Sequence, residues 1–80
     1  MPDPIIQIRS LISENLFPLE DDFCDEMDLY MEGLDSMGLM QLILLLEQEF
    51  GVGLTPEDLG RENFQSLRAI RDLILQKQEE

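Results

Sequence analysis

Apolar residues recur at helical spacing in three stretches of the chain. Ile5, Ile8, Ile12 and Leu16 fall three or four apart and predict one buried face of a first helix. Asp3-Pro4 supplies its start, an acid to cap and a proline at the first helical position, and Phe17-Pro18 its stop. The strongest pattern runs from Ser36 to Phe50, where Leu39, Leu42, Ile43, Leu46 and Phe50 share a face and Gly51 ends the helix. Thr55-Pro56-Glu57-Asp58 reads as a further helix start, although Gly60 leaves it only about one turn. Ser66 can cap a last helix whose Leu67, Ile70, Leu73 and Ile74 form its buried stripe. No segment alternates with period two, so the expected fold is all-α: a small four-helix bundle of three longer helices and one short one, in a single domain over residues 1–80.

Two features go beyond a plain bundle. Residues 18–35 show no clear period and read as a long ordered loop between the first two helices, tied down by Phe23, Met27, Leu29 and Leu34. On the Ser36–Phe50 helix, Met37, Met40 and Leu44 form a second apolar face beside the core stripe. Three small helices cannot easily surround a fourth, so Met37 and at least one of Met40 and Leu44 are expected to be exposed. Methionine adapts its shape to different partners and suits a docking surface.

Charge sharpens this picture. The 80 residues carry 18 acids against five bases, a net charge of −13, which disfavours nucleic acid and anionic membrane surfaces and favours basic partners. Residues 20–35 hold eight acids and no base, whereas residues 61–77 hold four bases and two acids. The acid run lacks the spacing of an EF-hand loop, so no metal site is expected. With no histidine and one cysteine, neither a zinc site nor a serine–histidine pair can be assembled, and the chain is expected not to be an enzyme. No apolar run reaches the roughly 18 residues of a membrane span, and the first residues carry acid where a secretory signal carries base, so a cytoplasmic monomer without stable membrane association is expected. Cys24, set among acids, is a poor nucleophile and reads as a small core residue; Tyr30 reads as packing that holds the loop; Arg68 and Arg71 read as a solvated face or as partners of loop acids.

The start of the second long helix, Gly33-Leu34-Asp35-Ser36-Met37-Gly38, admits two readings. Asp35 or Ser36 can simply cap the helix. Its unpaired N–H groups and positive dipole end also favour a phosphate, so a serine here can carry a phosphate-linked group, with Gly38 leaving room for an approaching enzyme.

Asp28-Leu29-Tyr30-Met31-Glu32-Gly33-Leu34-Asp35-Ser36-Met37 and the helix after it resemble the acyl carrier protein family, and the resemblance covers nearly the whole chain. It implies 4′-phosphopantetheine as cofactor on Ser36, with Asp35 read by a phosphopantetheinyl transferase. It also implies partner contacts at Met37, Met40, Leu44 and Glu47. Gln41 and Gln48 depart from fatty-acid-synthesis carriers, which place acids there. The motif looks more like carriers of aminoacyl groups, including the D-alanyl carrier protein, or stand-alone carriers of polyketide and nonribosomal peptide pathways. The implied function is to hold an acyl or aminoacyl group as a thioester and present it to loading ligases or transferases and downstream synthases with basic docking patches. The alternatives are an acidic helical adaptor that binds a basic partner and carries nothing or, within the family, a fatty acid synthesis carrier or a D-alanyl carrier.

Overall fold

The structure, a computed structural model, describes residues 3–79 of the chain; Met1, Pro2 and Glu80, the ends of the expected domain, lie outside the described residues. Four α-helices are present among the described residues: α1 (Pro4–Asn15), α2 (Leu29–Glu32), α3 (Ser36–Phe50) and α4 (Leu67–Gln78), with 3₁₀ turns at Pro56–Leu59 and Arg61–Asn63 between the last two. No strand occurs among the described residues. Asp3 caps α1 by accepting from the Ile5 N–H at 3.0 Å, and Ser66 caps α4 by accepting from the Ala69 N–H at 3.1 Å. Gly51 ends α3 in the left-handed conformation (φ 66°), where its N–H reaches the Glu47 carbonyl.

The expected helix faces meet in one core. Ile5, Ile8 and Ile12 of α1, Leu42, Ile43 and Leu46 of α3, and Leu67, Ile70, Leu73 and Ile74 of α4 are buried together, with Leu16, Leu39 and Phe50 packed at the margin. Cutting one of these leucines or isoleucines to alanine removes about 2 to 5 kcal/mol, a large share of a small domain's stability. Phe64, which no helical period marks, is fully buried just after the second 3₁₀ turn.

The long segment between α1 and α3 is held at both ends. From α1, Arg9 donates Nη1 to the Phe23 carbonyl at 2.7 Å and Nη2 to the Glu20 carbonyl, while Phe23 itself enters the core. On the far side the Leu29 N–H donates to the Gln65 carbonyl at 2.7 Å, the Arg68 N–H to the Asp25 carbonyl at 3.0 Å, and the Arg68 guanidinium pairs with Glu26. Tyr30 is half-buried beneath the Arg61 guanidinium, 4.0 Å from its ring centre, as its expected packing role requires. Burial pushes the Tyr30 phenol up from its ordinary range, Arg61 opposing.

Four expectations change. The aperiodic loop contains the one-turn α2, framed by Asp28, which accepts from the Tyr30 N–H at 2.8 Å, and by Gly33; four residues are too few to show a period. The short helix begun at Thr55 is a 3₁₀ turn. Cys24 is exposed and not a core residue, because Phe23 fills the inward position beside it. Met27 is exposed too, its sulfur accepting from the Cys24 N–H at 3.1 Å.

Asp58 joins the first 3₁₀ turn to α4: its Oδ2 accepts from the Thr55 N–H at 2.8 Å, the Thr55 hydroxyl at 3.0 Å and Lys77 Nζ at 2.6 Å. The Lys77 bond, followed by the Thr55 N–H, holds the Asp58 carboxyl below its ordinary range. A depressed folded pKa gives stability that is present above the unfolded value of about 3.9 and lost as pH falls through the folded value. Asp58→Asn keeps the shape without the charge. Its Tm should lie below wild type by a constant margin from pH 7 to about 5, with the margin shrinking below about pH 4. Paired melts across this range decide; a margin that persists unchanged into strong acid refutes the assignment.

Candidate functional site

The segment from Gly33 to Gly38 fixes the start of α3. Gly33 and Leu34 both donate their N–H to the Leu29 carbonyl, which folds the end of α2 back toward α3. Gly33 does so at φ 130°, a conformation that strains any residue with a Cβ. Leu34 is buried and anchors the turn in the core. Asp35 is extended; its Oδ1 accepts from the Gly38 N–H at 2.8 Å and its carbonyl from the Leu39 N–H at 2.8 Å. Of the two capping candidates, Asp35 is therefore the cap. A Cβ at position 38 would meet Asp35 Oδ1 at 3.2 Å and Leu34 Cδ1 at 3.5 Å, so glycine here keeps a side chain from pressing on the cap.

Ser36 is left with no part in the fold. It is exposed, its hydroxyl makes no hydrogen bond among the described residues, and the N–H groups of Ser36 and Met37 have no partner there either. An exposed, unbonded hydroxyl thus stands at the positive end of a 15-residue helix, on a backbone locked by a buried leucine and a carboxylate cap. These features fit a phosphate-linked group on that hydroxyl: the oxygen is accessible, and its bond to phosphorus would leave the cap untouched.

Along α3, Met37, Met40 and Leu44 are 84 %, 59 % and 57 % exposed, as expected of a second face outside the core. Glu47 is half-buried, its Oε2 accepting from the Leu54 N–H at 3.0 Å, so this acid also holds the chain after α3. Gln41 donates Nε2 to the Asn15 carbonyl at 3.3 Å, at the end of α1, a bond that a carboxylate there could not donate. Gln48 is exposed. Met31 of α2, which the sequence pattern does not single out, is 83 % exposed; in a segment without a period, nothing signals which way it faces. Glu32 beside it lines a cavity of about 190 Å³ together with Glu20, Asp22, Phe23 and Met27. No cluster of acids and cysteine that could hold a metal ion exists among the described residues.

A helical chain of this size with one serine displayed at a capped helix start has the form of a small carrier protein. Residues 7–74 match the family model described as the phosphopantetheine attachment site, and the chain belongs to that family, whose prosthetic group is 4′-phosphopantetheine. An aminoacyl carrier protein of Agrobacterium fabrum is 39 % identical over 68 % of this chain and 65 % of its own length, so the match spans just under two thirds of that relative. Aminoacyl carrier protein 2 of Bradyrhizobium diazoefficiens is 35 % identical over 85 % of this chain and 74 % of its own, and the D-alanyl carrier protein of Lactococcus lactis is 38 % identical over 69 % and 71 %. Among solved structures, a carrier protein from Agrobacterium tumefaciens, complexed with an engineered Bradyrhizobium japonicum glycine:[carrier protein] ligase and ATP, superposes with a TM-score of 0.80. It is 32 % identical and covers 90 % of this chain and 96 % of that one. An acyl carrier protein of Thermotoga maritima shares the fold, with a TM-score of 0.76 at 20 % identity over 94 % of this chain and 86 % of that one.

If Asp35 alone caps α3, Asp35→Ala should cost about 0.5 to 2 kcal/mol, while Ser36→Ala should melt with wild type. Chemical denaturation of both variants checks this; equal losses would mean that Ser36 shares the capping.

Proposed function

We propose that Ser36 is the attachment residue for 4′-phosphopantetheine and that the chain carries an aminoacyl group for a biosynthetic pathway. The single observation behind the site is the exposed Ser36 hydroxyl, unbonded at a helix start that Asp35 closes without it. When bound, the prosthetic group supplies a thiol that holds the cargo as a thioester. During its attachment the Ser36 hydroxyl loses its proton to a base of the phosphopantetheinyl transferase. The Ser36 oxygen bonds to the phosphorus of the phosphopantetheinyl moiety of coenzyme A, and the bisphosphorylated adenosine leaves as the pyrophosphate bond breaks. The chain performs no catalysis itself; it presents a fixed serine and a recognisable surface.

Aminoacyl cargo is supported by the names of the relatives, two aminoacyl carriers and a D-alanyl carrier, and by the ligase bound to the structural neighbour. Gln41 and Gln48, uncharged where carriers of fatty acid synthesis place acids, point the same way. The partners are the transferase, which reads Asp35, a loading ligase and downstream enzymes. They dock on Met37, Met40 and Leu44, with Glu47 at the far end of that surface. No helix of the described residues is long and apolar enough to cross a membrane.

Intact mass after incubation with coenzyme A and a broad-specificity transferase should show one phosphopantetheinyl addition on the wild type and none on Ser36→Ala. Modification of the variant, at Ser10, Ser13 or Ser66, refutes the site.

Docking and packing predict opposite behaviour within α3. Leu44→Ala should melt close to wild type but load slowly, whereas Leu46→Ala, fully buried, should lose about 2 to 5 kcal/mol. Equal destabilisation of the two would return Leu44 to the core.

A further inference from the structure

Among the described residues, the two most exposed large apolar side chains flank Ser36 in the sequence: Met31 on α2 and Met37 on α3. The last residue of α2 and the first of α3 are four Cα steps apart, so no more than about 15 Å separates them, and the two bonds to the Leu29 carbonyl fold the segment back further. Met31 supports nothing in the fold. Leu29 supplies the buried contact of α2 and Tyr30 carries Arg61, so any polar residue would serve at position 31.

The charge around these methionines is mainly acid and lies on the α2 side, where the base is Arg61, over the Tyr30 ring. On the α2 side stand Asp28 and Glu32, with Glu20 and Asp22 sharing the cavity that Glu32 lines. Along α3 no ionisable residue occurs between Asp35 and Glu47. An enzyme that bonds a group to Ser36 Oγ has to cover the hydroxyl, and Met37 and Met31 are the exposed apolar side chains next to it along the chain. A complementary partner is apolar over both methionines and basic on the α2 side.

Resting on the assignment of Ser36 as the attachment residue, we propose that Met31 extends the docking surface across Ser36 onto α2. The occupant is the phosphopantetheinyl transferase, which seats Met31 and Met37 in an apolar depression and places its basic side chains against Glu32 and the acids beyond it. Met31 is then a recognition residue of the apo carrier, and Glu32 orients the approach.

Steady-state kinetics of modification, with the full chain, coenzyme A and a broad-specificity transferase, test this. Met31→Ala should raise KM about tenfold with kcat within about twofold, Met31→Leu should stay near wild type, and Glu32→Lys should raise KM several-fold. All three should melt with wild type. Ile6→Ala removes an apolar side chain that is 66 % exposed on α1 and serves as the control, expected to leave KM unchanged. A wild-type KM for Met31→Ala, or an equal rise for Ile6→Ala, overturns the assignment of Met31. A loss at Met31 with none at Glu32→Lys overturns the charged half of the proposal. A wild-type chain that gains no mass at Ser36 overturns the carrier reading itself, and this inference with it.

Discussion

The displayed serine depends on a carboxylate one residue before it. Because Asp35 closes the first turn of α3 by accepting from Gly38, Ser36 is released from capping and can be substituted or modified without opening the helix. The cap works because its backbone is already placed: Leu34 is sunk in the core, Gly33 turns through a conformation that only glycine adopts without strain, and both lean on one carbonyl of α2. Remove the anchor and the cap has no fixed donor; remove the cap and the serine is drawn back into structural work. The start of α3 is thus held by a cap, a buried anchor and a glycine turn, none of which uses the Ser36 hydroxyl.

Charge is distributed on a similar principle. Each of the five bases is engaged inside the molecule: Arg9 with loop carbonyls, Arg61 over Tyr30, Arg68 with Glu26, Arg71 with Asp3 and Asp72, and Lys77 with Asp58. The exposed pairs contribute only about 0 to 1 kcal/mol each. Their position matters more than their energy, since they tie the acidic loop and the 3₁₀ turns to the helices. Acid therefore outweighs base on the outer surface of the loop and α2, where Arg61 and Arg68 are exposed but already paired.

The three long helices and their buried stripes were legible because periodicity and caps agree at each: Asp3-Pro4, Ser36 to Gly51 and Ser66 all begin or end helices where they should. Legibility stops where the chain is too short to repeat. The one-turn α2 offers only the frame of Asp28 and Gly33, Phe64 is fixed by tertiary packing alone, and Cys24 and Met27 could not be oriented without knowing that Phe23 points inward. At the helix start, the motif singles out Ser36 and Asp35 as candidates. It does not tell which of them caps, that Gly38 faces the cap, or that Glu47 and Gln41 have backbone partners. Those facts depend on distances between segments that a helical period does not encode.

α3 has to serve two apolar faces, and this constrains the rest of the sequence. Leu42, Ile43 and Leu46 secure the helix in the core, while Met37, Met40 and Leu44 leave a continuous apolar strip in water on the other side. A strip of that kind invites self-association in a small domain. A net charge of −13 opposes it, because two copies that approach each other repel. The same acid that separates like molecules attracts a basic one. One distribution of charge therefore protects the exposed strip and selects what may cover it, and it can do both only while the bases remain committed to the frame.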